Sequence, residues 1–205
     1  MTARILYALV VFIGLILLTA GANAAASGSF RYTTEAVEIS ERGPVTHSVI
    51  VADGFKFRFL APPNWKVESN ASEKSVTLTA PDLKAAIVIE IIPAKFELAA
   101  PPTGENFKRA LLAKYPEAQI TREGPAYTGA AQGFAFDFER LFGNQQKLAS
   151  RFAFVPYDGG TAQIHLTSPP DDFTRYEFPI GSVWTSFQVK PLGVKGGDKT
   201  KIASN

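Results

Sequence analysis

The 205-residue sequence predicts an α+β fold, an antiparallel β-sheet flanked by helices in an α/β/α sandwich. Three observations carry this. Short segments alternate aromatic or aliphatic side chains with polar ones at a period of two, the mark of strands with one buried face. Gly-, Asn- and Asp-containing turns separate several of these segments at hairpin spacing. Two further segments repeat their apolar residues at helical spacing, each with a start or stop residue at one end.

Taken in order, Phe30 to Ile39 reads as a first strand, led by Phe30-Arg31-Tyr32, and the polar stretch Glu35 to Pro44 becomes loop-like at its end. Val49 to Ala52 and Phe55 to Leu60 read as two strands joined by Asp53-Gly54, a strong hairpin signal. Phe55, Phe57 and Phe59 alternate with Lys56 and Arg58, so one face is aromatic and buried and the other basic and wet. Pro62-Pro63-Asn64-Trp65 stops that strand, and Trp65-Lys66-Val67 opens a short one. Ser75 to Ala80 alternates Val76, Leu78 and Ala80 with hydroxyl residues. Ala85 to Ile92 is apolar on both faces apart from Glu90, which predicts a central strand ended by Pro93.

The clearest helix is Gly104 to Tyr115, with Thr103 as N-cap, Glu105 in the first turn, an apolar stripe of Phe107, Ala110, Leu111 and Tyr115, and Pro116 as terminator. A meander follows. Its strands carry Phe134, Phe136 and Phe138, then Leu148, Ser150, Phe152 and Phe154, then Ala162, Ile164 and Leu166, with turns at Gly143-Asn144 and Tyr157-Asp158-Gly159-Gly160. Pro179 opens a last helix, in which Ile180, Val183, Trp184 and Phe187 fall at i, i+3, i+4 and i+7.

Ahead of this domain the chain has the order of a secretory signal: Arg4 near the amino terminus, an apolar run from Ile5 to Ala20, and the small-x-small triplet Ala22-Asn23-Ala24. The expected division is a signal over 1–24 cleaved near Ala24, with Ala26 as alternative, then an N-terminal strand and linker over 25–45, a domain over 46–190 and a disordered basic tail over 191–205. The expected location is periplasmic or secreted, with no stable membrane anchor after cleavage. There is no cysteine, which excludes disulfides, thiol catalysis, thiolate metal sites and a lipid anchor at that position. The formal charge is +2, with a local excess only in the tail, where Lys190, Lys195, Lys199 and Lys201 face Asp198. A nucleic-acid partner would need a concentrated basic surface and is not expected; a weak contact of the tail with an anionic membrane is a lesser expectation.

The segment Gly54-Phe55-Lys56-Phe57-Arg58-Phe59-Leu60-Ala61-Pro62-Pro63-Asn64-Trp65-Lys66 resembles the G-x-x-F-x-x-P-x-x-W opening of PsbP-like and DcrB-like domains. The order of the remaining parts agrees: an Ile-rich strand ending at Pro93, a helix, a meander through Gly133-Phe134-Ala135-Phe136, and a last helix ending in Trp184-Thr185-Ser186-Phe187. The resemblance spans about Val49 to Val189. It implies an antiparallel sheet flanked by helices and a role in binding partners, not catalysis. The chain departs from DcrB-like lipoproteins in lacking the lipid-attachment cysteine.

No G-x-S-x-G, P-loop or G-x-G-x-x-G is present. The two histidines, His47 and His165, lie in distant segments without metal-ligand spacing, and neither a metal nor a cofactor is expected. Asp171-Asp172, after Pro169-Pro170, read as the opening of a helix in preference to a cation site. Asn70-Ala71-Ser72 is a glycosylation sequon that matters only in a eukaryotic host. The most interesting polar set is on the meander. With Phe138 opposite Phe152 and Phe154 opposite Ile164, the side away from the phenylalanines would show Asp137, Glu139, Arg151, Gln163 and His165 in one patch, either a binding surface or a solvated face with a cross-strand ion pair. The leading functional expectation is an exported, non-catalytic envelope protein that binds another protein. The alternatives are a carrier of an apolar or lipid ligand, suggested by sixteen phenylalanines, and a hydrolase using Glu139 and His165 as an acid–base pair.

Overall fold

Asp53 and Gly54 both sit in the left-handed region, with φ of 50° and 83°. That pair is what a tight hairpin turn needs to match strand twist, and it joins β2 (Gly43–Ala52) to β3 (Phe55–Phe59) with Ala52 opposite Phe55. β1 (Phe30–Ile39) pairs with β2 along its whole length, and β11 (Gln188–Pro191) returns to the far side of β3. The result is a four-stranded antiparallel sheet in the order β1-β2-β3-β11. The computed structural model describes residues 29–39, 43–94, 103–129, 131–143 and 146–193. The expected signal over 1–24 and residues 194–205 of the expected tail lie outside the described residues.

After β3 the two prolines at 62 and 63 and the left-handed Asn64 (φ 63°) redirect the chain into a second sheet. It contains β4 (Lys66–Asn70), β5 (Ser75–Thr79), β6 (Ala86–Pro93), β7 (Gln119–Tyr127), β8 (Gln132–Phe142), β9 (Gln146–Tyr157) and β10 (Gly160–Ser168), in the order β4-β5-β6-β10-β9-β8-β7. All its pairings are antiparallel. The α+β class read from the sequence holds, with antiparallel sheets and, among the described residues, two α-helices; the strands divide between two sheets.

One face of the seven-stranded sheet packs against the inner face of the four-stranded sheet and against α2 (Glu177–Ser186). This core includes Ile50, Phe57, Phe59, Leu78, Ile87, Ile89, Ile164, Ile180 and Phe187, all buried. The other face is covered by α1 (Gly104–Lys114). There Phe107 and Leu111 meet Phe136, Phe138, Phe152 and Phe154 in a second core. Thr103 caps α1 as expected. Its hydroxyl accepts from the Asn106 backbone N–H while the Asn106 side chain takes the Thr103 N–H, a reciprocal capping box. Strands β8 and β9 approach so closely that a Cβ on Gly133 would fall 2.0 Å from the Phe154 carbonyl oxygen.

Two strands were not legible. β7 contains Gly124, Pro125 and three successive polar residues, and a bulge between Ile120 and Arg122 breaks its alternation. Bulges and prolines blunt strands at sheet edges, and β7 is an edge. β11 is four residues long and holds Lys190 and Pro191, so it resembles the start of the tail. The last helix starts at Glu177, not Pro179; the proline occupies the first turn, where no backbone N–H has an intrahelical partner. Asp171 and Asp172 lie in the first turn of the preceding 3-10 helix, Pro170–Tyr176, and Asp172 accepts a hydrogen bond from Lys84 Nζ at 2.9 Å.

Candidate functional site

The two hairpin loops set the register of the meander. Tyr157 pairs with Gly160 across Asp158-Gly159, so counting back places Phe154 opposite Gln163 and Phe152 opposite His165. Phe142 pairs with Gln146, which places Phe136 opposite Phe152 and Asp137 opposite Arg151. Directly paired residues share a face. Asp137, Glu139 and Arg151 therefore share the face away from the phenylalanines, as expected. Gln163 and His165 do not. They stand on the phenylalanine face, one residue out of the expected register, and a slip of one residue moves a side chain through the sheet. The turn length could have revealed this. The hydrophobic pattern could not, because Phe152, Ala153, Phe154 and Val155 are all buried and β9 has two apolar faces. Glu139 and His165, on opposite faces, do not form the acid–base pair considered above.

Arg151 is the centre of the group that remains. Its Nε donates to Asp137 Oδ1 at 2.6 Å and its Nη2 to Asp137 Oδ2 at 2.7 Å, a two-pronged pair. The same Nη2 reaches Glu177 Oε1 on α2 at 3.0 Å. The guanidinium also lies 5.4 Å from the Phe173 ring centre and 6.0 Å from that of Trp184. Side-chain exposure is 13% for Arg151 and 14% for Asp137, so the pair is largely withdrawn from water. The hydrogen bond to Asp137 outweighs burial and raises the Arg151 pKa further, making it a permanent cation.

Clefts open on both sides of this pair. One, of about 430 Å³, runs along β7 and is lined by Arg122, Tyr127, Ala135, Asp137, Arg151 and Trp184 among others. The other, of about 330 Å³, lies between Glu139, Arg151 and the 3-10 helix at Phe173 and Thr174. Tyr127 is 67% exposed, and Phe178, next to Glu177 on α2, is 86% exposed. Sequence reasoning found Asp137, Glu139 and Arg151 but missed Arg122 and Tyr127, which belong to the unrecognised edge strand, and Glu177, which only the docking of α2 brings to Arg151.

His165 packs instead, half-buried, against the α1 core. Its ring centre is 4.8 Å from that of Phe152, 5.9 Å from Tyr115 and 6.1 Å from Phe138. Nε2 is 3.0 Å from the Thr167 hydroxyl. Burial, assisted by the charges of Lys114 and Arg140, pushes its pKa well below the ordinary value of 6.5. The folded state therefore refuses a proton that the unfolded chain accepts, and stability falls as pH drops below about 6.5. Urea midpoints measured between pH 7.5 and pH 5 are expected to decline on the acid side, and His165→Gln to flatten that decline. An unchanged pH profile in His165→Gln would refute this.

Of the sixteen phenylalanines that suggested an apolar carrier, Phe57, Phe59, Phe107, Phe136, Phe138, Phe152, Phe154 and Phe187 are buried in the cores. Phe107 stacks on Phe154 at 4.6 Å, Phe152 lies 4.8 Å from Phe154, and Phe57 and Phe59 pack on Phe187 at 6.1 and 6.4 Å. His47 lies on β2 in the four-stranded sheet and His165 on β10 in the other. Among the described residues no three His, Asp or Glu side chains gather as a metal site. No helix of the described residues is long and apolar enough to cross a membrane.

Fold and site together define an α+β domain with an Arg- and aromatic-lined cleft along an edge strand. Among solved structures the chain is similar to LpqN, a protein involved in cell envelope biogenesis of Mycobacterium tuberculosis, at 11% identity and a TM-score of 0.48, covering 78% of this chain and 92% of that one. It is also similar to cyanobacterial PsbP (CyanoP) from Synechocystis, at 12% identity and a TM-score of 0.39, covering 85% and 99%. A Bacteroides thetaiotaomicron protein matches at 12% identity and a TM-score of 0.43 over 65% of this chain and 45% of its own. No family model matches the chain, and no curated protein does.

Proposed function

We propose that the chain is an exported, non-catalytic envelope protein that binds a protein partner through the cleft beside Arg151. The observation that carries this reading is the composition of that cleft. Arg122, Tyr127, Arg151 and Trp184 line one open groove, and Phe178 is fully presented nearby in sequence to Glu177. Arg, Trp and Tyr are the residues in which protein interfaces concentrate their binding energy. The export half of the proposal rests on the order of charge, apolar run and small residues before Ala25.

A photoreactive amino acid at position 127, in cells fractionated after irradiation, tests both halves. The expected result is one discrete protein adduct in the extracytoplasmic fraction, weakened by Arg122→Glu. The same group at Leu112, exposed on α1, is the control and should give none. Adducts of equal yield from both positions, or none from position 127, would reject the cleft as the docking site.

A further inference from the structure

The four-stranded sheet has an outward face that the cleft does not use. Register places Arg31, Val51, Lys56 and Lys190 in one row across β1, β2, β3 and β11. The next row is Thr33, Val49, Arg58 and Gln188, with Val49 itself buried. At a strand separation of about 4.8 Å, three cations are spread over about 14 Å, with Arg58 beside them. The alternate residues Tyr32, Ile50, Phe57 and Val189 point the other way, into or against the core. The only acid in these rows and the next is Glu35, which is taken by Lys56 Nζ at 2.6 Å. Arg58 donates to Gln188 Oε1 at 2.8 Å, a neutral partner that leaves its charge uncompensated. Arg31 and Lys190 are exposed and form no ion pair with any described residue. Elsewhere five of the six described lysines are matched, Lys66 with Glu68, Lys74 with Asp53, Lys84 with Asp172, Lys108 with Glu123 and Lys114 with Glu90, the exception being the isolated Lys147 on β9.

We infer that this sheet face docks on an anionic lipid surface. Charge complementarity names an anionic occupant, and the sheet spreads its cations across four strands, which matches the broad charge of a bilayer surface. The chain that follows the sheet points to the same occupant: Lys195, Lys199 and Lys201 come directly after edge strand β11 and add to the charge on this sheet's side of the domain, not on the seven-stranded one.

The test is flotation of the full exported chain with vesicles of neutral phosphatidylcholine and with vesicles also containing phosphatidylglycerol, at low salt and at about 1 M salt, where the Debye length is about 3 Å. Binding is expected only to the anionic vesicles and only at low salt. The double variant Arg31→Gln/Lys190→Gln, which changes two exposed side chains, should bind roughly 25-fold more weakly, at about fivefold per charge removed. Lys66→Gln/Lys147→Gln, on the other sheet, should bind like the parent chain. Equal binding to neutral vesicles, an Arg31→Gln/Lys190→Gln variant that binds unchanged, or no binding to either vesicle would overturn the inference, the last outcome pointing to an acidic protein as the occupant.

Discussion

Phe152→Ala is expected to lower the free energy of unfolding by about 4 kcal/mol, the usual cost of emptying a buried phenylalanine site. The side chain is 1% exposed at the centre of the α1 core. Its ring lies 4.8 Å from those of Phe154 and His165 and 6.4 Å from that of Tyr115, and Lys114 Nζ sits 5.5 Å over it. β9 lies between β8 and β10, so neither strand can close the space without losing its ladder. Relaxation must come from α1, which contributes only Phe107 and Leu111 as buried residues. Urea denaturation should show a lower midpoint with an unchanged slope, and Phe152→Leu should recover more than half the loss. A loss under about 1 kcal/mol would mean that α1 is not part of the cooperative unit.

The second large effect is at Arg151. Replacing it with alanine strands the Asp137 carboxylate, which is 14% exposed and takes two of the arginine's hydrogen bonds. Leaving one member of a buried pair without the other costs about 3 kcal/mol, nearer the lower end of the usual range because the clefts on both sides admit water. The double variant Arg151→Met/Asp137→Leu should be markedly more stable than Arg151→Ala, since no charge is left unpaired. Arg151→Lys keeps the charge but loses the planar fork and its stacking on Phe173 and Trp184, and should fall between. Equal stability for Arg151→Ala and the double variant would show that Asp137 is solvated well enough to stand alone. A double-mutant cycle with Glu177→Gln should show a smaller coupling than with Asp137, because Glu177 is 45% exposed and held by one contact.

How much of this site was legible depends on where each residue stands. Asp137, Glu139 and Arg151 follow from period-two alternation with Phe136, Phe138 and Phe152, because the core accepts the rings and leaves the charges outward. Gln163 and His165 were misplaced by one residue. The strand they pair with, β9, is apolar on both sides of the sheet, so its burial gives no preference for either register, and only the two-residue loop at Asp158-Gly159 decides. Arg122 and Tyr127 sit on an edge strand interrupted by a bulge and a proline, features that protect an edge and also erase the periodicity that announces a strand. Glu177 meets Arg151 across 26 positions of sequence, a contact that no local pattern encodes.

The sequence by itself determined the α+β class, the Asp53-Gly54 turn, the basic and aromatic faces of β3, the capped helix after Thr103 and the absence of thiol chemistry. Each of these depends on residues within a turn or two of one another, where backbone sterics, capping and alternation act. Tertiary structure decided the division of strands between two sheets, the registers of the meander, the return of β11 beside β3 and the meeting of Arg151 with Glu177. Those are choices between partners far apart in the chain. They are settled by which apolar faces close on each other and by where the loops set the pairing, and local pattern is the same for the pairing that forms and for its neighbour one residue away.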